Sequence, residues 1–161
     1  MKFALIAILA VLFSSPLLAQ PEQIFLLRHS EKSTGNDPAL TEQGQQRAKN
    51  IAQQLAIANP LQLFSTDYKR TQQTIAPLAK ELALEVTIYN PKDLIQFASQ
   101  LKQLKGNAVV VGHSNTTPQL IKHLSGYRVN IEEDEYNKLF ELRLHNGRYE
   151  LIRHNTSALA L

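Results

Sequence analysis

Between Ile24 and Leu124, short apolar runs alternate with longer stretches whose apolar residues recur at helical spacing. The runs fall at about residues 24–27, 61–64, 85–89 and 108–111. The helical stretches cover about 42–58, through Ala48, Ile51, Leu55 and Ala56, and about 68–82, through Thr71, Ile75, Leu78 and Leu82, with Pro77 inside. A third is capped by Asp93 and runs through Leu94, Phe97, Leu101 and Leu104, and a fourth opens at Pro118 and reaches Leu124. A run that is apolar throughout suits a strand covered on both faces, and helices between such strands make them pair in parallel. After Ser125-Gly126 the pattern changes. Residues 138–144 and 149–153 flank Asn146-Gly147, a strong two-residue hairpin turn. The expected fold is α/β: a three-layer α/β/α sandwich with a mostly parallel sheet and a C-terminal antiparallel hairpin.

Local punctuation agrees with this division. Thr41 stands where an N-cap is needed, Asn59-Pro60 stops the helix that follows, and Thr34-Gly35-Asn36-Asp37-Pro38 is dense turn chemistry. No internal repeat, low-complexity stretch or interdomain linker interrupts the chain.

Ligands of open parallel sheets sit outside the carboxyl ends of the strands. Three such ends carry related groups here. The first run enters Arg28-His29-Ser30-Glu31; the second enters Ser65-Thr66-Asp67, with Arg70 just inside the next helix; the fourth enters Gly112-His113-Ser114. Two arginines and two histidines on one rim repel each other when charged and empty, so the rim suits an anion. A guanidinium holds a phosphate through paired hydrogen bonds, and a neutral imidazole nitrogen can attack phosphorus.

Residues 27–31, Leu-Arg-His-Ser-Glu, resemble the Arg-His-Gly-Glu signature of the histidine phosphatase superfamily, branch 1, which includes the phosphoglycerate mutases. Residues 40–48 resemble the helix that follows in that family, residues 65–74 its second-arginine motif, and residues 110–115 its second-histidine motif. The resemblance extends from about Gln23 to Arg153 with the motifs in order. It implies a phosphoglycerate mutase-like fold and a phosphoric monoester hydrolase that needs no metal and no cofactor. It assigns His29 as nucleophile, with Arg28, Arg70 and His113 binding the phosphoryl oxygens and His113 acting as a cation. Ser30 stands in place of the family's glycine. Longer members carry a general-acid glutamate in an insertion after the second-arginine helix, and residues 81–93 hold no matching motif. Asp93, Glu31 and Tyr136 remain as candidates for the acid or the substrate mouth; a helix cap is the expected job of Asp93, and structural support that of Glu31. The acidic run at 132–135 reads as a solvated loop, with the substrate mouth as its alternative. His123, His145 and His154 read as surface residues. In size the chain resembles the compact phosphohistidine phosphatases, and in layout the exported heptose phosphatases.

Composition narrows the class further. The chain has 161 residues, a net charge of +3 and no cysteine, which excludes a cysteine nucleophile, a thiolate zinc site and an iron–sulfur cluster. Lys and Arg are scattered, without the basic stripe that nucleic acid requires. Met1-Lys2, an apolar run over 3–13 and a small residue at Ala19 have the layout of a secretory signal peptide. Residues 1–19 are therefore expected as a signal and 20–161 as a histidine phosphatase domain, exported to the periplasm or secreted; an uncleaved N-terminal membrane anchor is the alternative. The expected partner is a small-molecule or glycan phosphate, bound by a monomer without stable membrane insertion. The alternative function on the same fold is a non-catalytic phosphate- or phosphoglycan-binding module.

Overall fold

The computed structural model describes residues 20–156, so the expected signal segment lies outside the described residues. In chain order the elements are β1 (Gln23–Arg28), α1 (Glu42–Ala56), β2 (Gln62–Ser65), α2 (Lys69–Leu82), β3 (Val86–Ile88) and α3 (Leu94–Leu101). They continue with β4 (Ala108–Gly112), α4 (Thr116–Ser125), β5 (Lys138–His145) and β6 (Arg148–Asn155). The strands form one six-stranded sheet in the order β3-β2-β4-β1-β5-β6. β3, β2, β4 and β1 pair in parallel, β5 runs antiparallel to β1, and β6 closes the hairpin with β5.

The two-residue period of the strands sorts the core into two layers. On one face Ile24, Leu26, Phe64 and Val110 pack against Phe97 and Leu101 of α3 and Leu120, Ile121 and Leu124 of α4. On the other, Phe25, Leu27, Leu63, Val109 and Val111 pack against Ile51 and Leu55 of α1 and Ile75 and Leu78 of α2. β1 and β4 are thus covered on both sides, as their unbroken apolar runs require. The hairpin turn has Asn146 at φ 50° and Gly147 at φ 77°, the left-handed pair that matches the twist of the flanking strands.

Several element ends differ from the sequence expectation by one to three residues, with α1 stopping at Ala56 and β6 reaching Asn155. α3 stops at Leu101 rather than reaching Leu104, because tight turns, Gln103 N–H to Gln100 O and Leu104 N–H to Leu101 O, replace the helical ladder there. α4 begins at Thr116, so Pro118 lies inside its first turn, where its missing N–H costs no helical hydrogen bond.

The loop from β1 to α1 is pinned by close backbone contact. Thr41 N–H donates to Glu31 O at 3.0 Å, and Thr41 Oγ1 accepts from Gly44 N–H at 3.1 Å as the N-cap. A Cβ at Gly44 would stand 2.1 Å from Glu31 O. Gly→Ala inside a helix ordinarily stabilises by about 1 kcal/mol. Gly44→Ala is expected to have the opposite sign, destabilising by about 1–3 kcal/mol as an overpacked contact, measured as a lower midpoint in urea unfolding.

Candidate active site

Strand register brings the two histidines together. Arg28 of β1 lies opposite Gly112 of β4, so His29 and His113 leave adjacent parallel strands at the same level. His29 N–H donates to Gly112 O at 3.0 Å, and the two imidazole centroids are 5.6 Å apart. Ser65 pairs with Val111, which brings the end of β2 beside them, and Arg70 comes from the first turn of α2. The four residues expected to form the site therefore converge at one rim of the sheet. They line a cleft of about 530 Å³ that also takes in Lys92 and Glu133. A larger groove between α1 and α2, about 790 Å³, gathers no histidine or arginine.

His29 is buried, and its Nδ1 is 2.8 Å from Ser30 O. A carbonyl can only accept, so Nδ1 carries the proton and Nε2 keeps its lone pair. Burial, opposed by the Ser30 carbonyl and reinforced by the charges of Arg28, His113 and Arg70, pushes the His29 pKa down to about 3. His113 is oriented by a hydroxyl relay. Thr71 Oγ1 donates to backbone carbonyl oxygen, and Thr66 Oγ1 donates to Thr71 Oγ1 at 3.0 Å. Thr66 Oγ1 is therefore left to accept from His113 Nε2–H at 2.9 Å. His113 Nδ1 then faces Arg70 Nη2, 3.4 Å away. Burial first, then Arg70 and Arg28, bring the His113 pKa down to about 4. Two guanidinium charges at this rim thus oppose the positive charge that the resemblance implies for His113.

The arginines are held by aromatic faces. The Arg28 guanidinium lies 4.3 Å from the centre of the Tyr136 ring, and that of Arg70 lies 4.4 Å from Tyr68. Tyr68 also meets His113 edge-on at 5.1 Å. Arg28 Nε and Arg70 Nε are buried donors without a hydrogen-bond partner. An unmade hydrogen bond from a buried charged group is costly.

The remaining candidates separate. Glu31 accepts from Arg47 Nε at 2.8 Å and Nη2 at 2.6 Å, which ties the β1–α1 loop to α1 and takes its carboxylate out of the cleft. Asp93 accepts from Gln96 N–H at 3.2 Å as the α3 cap. Tyr136 supports Arg28 and lies 6.0 Å from the His29 ring. His154 is bound to Glu141 at 2.8 Å on the hairpin, while His123 and His145 are exposed. Sequence reasoning read Glu133 as part of a solvated acidic loop with the substrate mouth as the alternative, and the structure puts it in the cleft lining. Arg28 Nη1 donates to Glu132 O at 2.8 Å and to Glu133 O at 2.7 Å, while Nη2 pairs with Glu133 Oε2 at 3.2 Å. Arg28 therefore fastens this loop over the rim in addition to facing the cleft, a role with no local sequence signal. Ser30 is fully buried; its N–H donates to Thr74 Oγ1 at 2.9 Å, and its own hydroxyl has no partner.

Residues 24–91 match the model of the histidine phosphatase superfamily (branch 1). The match takes in Arg28, His29 and Arg70 and ends before His113, so over this stretch the chain is similar to that superfamily. No curated protein matches it by sequence. Among solved structures it resembles an Escherichia coli K-12 protein assigned as an alpha-ribazole-5'-P phosphatase, at 16% identity and TM-score 0.70, covering 89% of this chain and 100% of that one. It also resembles the protein histidine phosphatase SixA complexed with tungstate, at 14% identity and TM-score 0.69, over 85% of this chain and 99% of that one. A phosphoserine phosphatase of Entamoeba histolytica, a mutant bound to phosphoserine, aligns at 17% identity and TM-score 0.65, over 86% and 99%. These likenesses establish the phosphoglycerate mutase-like fold.

The lowered histidine pKa values have a measurable consequence. An unfolded histidine binds its proton near pH 6.5, whereas the folded His29 and His113 bind theirs near 3 and 4. Between those limits the unfolded chain holds more protons, so these two groups contribute stability that is complete above about pH 6.5 and lost as the pH falls toward 3 to 4. Imidazole NMR of the free protein is expected to show both rings neutral at about pH 5; midpoints near the ordinary histidine value would contradict this environment.

Proposed function

We propose that this protein is a histidine phosphatase that hydrolyses a small phosphomonoester, or a phosphoramidate, through a phosphohistidine formed on His29, and that it acts in an exported compartment. The observation that carries the catalytic reading is the fixed tautomer of His29: Nδ1–H is committed to the Ser30 carbonyl, so the Nε2 lone pair is available to phosphorus. The pKa near 3 keeps that lone pair unprotonated at neutral pH.

The steps follow from the groups on the rim. The phosphoryl oxygens meet the guanidinium groups of Arg28 and Arg70, which line the cleft. His29 Nε2 then forms a bond to phosphorus as the ester P–O bond breaks. Charge spreading over the phosphoryl oxygens is met by the two guanidinium groups and by the His113 ring, whose Nδ1 gains a proton more readily once the dianion offsets Arg70 and Arg28. Water next attacks phosphorus on the opposite side, the N–P bond breaks, and its electron pair returns to Nε2. Phosphate leaves and the imidazole is again neutral.

The phosphoserine and tungstate bound in two structural neighbours support an oxyanion or small phosphate ester as the occupant. Export rests on the N-terminal layout of Met1-Lys2, the apolar run and Ala19. No helix among the described residues is long and apolar enough to cross a membrane. Substrates of an exported compartment, including phosphorylated glycans, are the class to screen first.

The mature domain is expected to hydrolyse para-nitrophenyl phosphate. His29→Ala should abolish turnover, and Arg70→Ala should lower kcat by about 100–1,000-fold, the usual cost of removing one stabilising donor. Mass spectrometry after a quench that avoids acid should find phosphate on His29. Tight vanadate binding without turnover would instead identify a phosphate-binding module.

A further inference from the structure

We propose that Glu133 is the proton shuttle of this site, serving as general acid to the leaving group and as general base to the hydrolytic water. The assignment rests on the phosphatase reading given above. It answers the question that the short segment at 81–93 leaves open, since that segment carries no acid motif.

Glu133 is the carboxylate that the cleft contains: among the described residues lining it with the two histidines, no other Asp or Glu occurs. The other nearby carboxylates are committed elsewhere. Glu31 is held by Arg47, Asp93 caps α3, and Asp37 accepts from Lys69 N–H and stands 3.7 Å from Arg70 Nη1.

The Glu133 carboxylate is anchored to the sequence neighbours of both histidines. Oε2 pairs with Arg28 Nη2 at 3.2 Å, immediately before His29, and Oε1 accepts from Ser114 Oγ at 2.6 Å, immediately after His113. It thus bridges the ends of β1 and β4 above the rim. Its backbone is held as well, because Arg28 Nη1 donates to the carbonyls of Glu132 and Glu133. A side chain 85% exposed would ordinarily wander, yet this one is held at both carboxylate oxygens while remaining open to water. That combination suits a group that must meet a leaving oxygen, admit a water molecule and exchange protons with solvent.

The proton inventory closes. At rest, the Ser114 hydroxyl and the Arg28 charge hold the Glu133 carboxyl below its usual range, so it enters the cycle as carboxylate. A phosphate monoester has its second pKa near 6 and brings a proton with its monoanion. The dianion left in the cleft repels the adjacent carboxylate and raises its proton affinity, so the proton passes to Glu133. As His29 Nε2 bonds to phosphorus and the P–O bond breaks, Glu133 gives that proton to the leaving oxygen. In the second step Glu133 takes a proton from the attacking water as the N–P bond breaks, which returns it to the acid form for release to solvent.

The experiment uses Glu133→Gln, which keeps the size and an oxygen acceptor for Ser114, on an aryl phosphate that leaves without protonation and on an alkyl phosphate that does not. The shuttle predicts kcat/KM within about threefold of wild type on the aryl ester and about 100-fold lower on the alkyl ester. It also predicts a lower kcat on both, with phosphohistidine accumulating on His29. Equal losses of kcat/KM on the two esters, or no loss on the alkyl ester, would overturn the shuttle while leaving the phosphatase reading intact. A wild-type protein inert toward both esters would remove the phosphatase reading and this assignment together.

Discussion

Two permanent guanidinium charges stand beside two imidazoles at one end of the sheet, and much else about the site follows from how that crowding is tolerated. The imidazoles stay neutral, with pKa values pushed down to about 3 and about 4. The guanidiniums lie on tyrosine rings, and Arg28 gives its outer nitrogens to the loop at 132–133. The inner Nε donors remain unpaired. An oxyanion at this rim offsets the charge that opposes His113 protonation. The cluster is therefore prepared for a phosphoryl group before one arrives, which is where charge-stabilising catalysis obtains its advantage.

The scaffold contributes register rather than chemistry. β1 and β4 are neighbours only because the chain crosses over, and their parallel pairing sets Arg28 against Gly112. A Cβ at Gly112 would stand 2.7 Å from the Tyr89 hydroxyl and 3.0 Å from Thr116 Oγ1, so the strand end must be bare for α4 to start so near it. The same economy appears at Gly44, where the first turn of α1 rests on the Glu31 carbonyl. With Glu31 and Arg47 paired across this junction, the loop leaving the nucleophile is fixed on both sides.

Most of the architecture could be read from the chain because its signals are local. The apolar runs, the Thr41 cap and the Asn146-Gly147 turn each carry their own short-range physics, and the three-layer sandwich follows from their order. Arg28, His29, Arg70 and His113 were legible because parallel strands deliver their ends to one edge. What was hidden depends on tertiary contact. The acidic loop at 132–135 has no feature of its own that points to Arg28, which lies more than a hundred residues earlier. The lowered pKa of His113 arises from burial and from neighbours on two other segments, whereas its motif alone suggested a cation. The ends of α3 and α4 shifted because turn hydrogen bonds and the tolerance of Pro118 in a first turn outweigh apolar spacing.

Ser30 stands where the signature this stretch resembles has glycine. Its side chain is accommodated in full burial, and its carbonyl fixes the His29 tautomer. The most direct test of the account is a crystal of the protein soaked in vanadate or tungstate. The account predicts the oxyanion in the cleft lined by Arg28, Arg70 and His113, with its central atom facing His29 Nε2. An empty cleft at saturating oxyanion, or density bound only elsewhere on the surface, would contradict it.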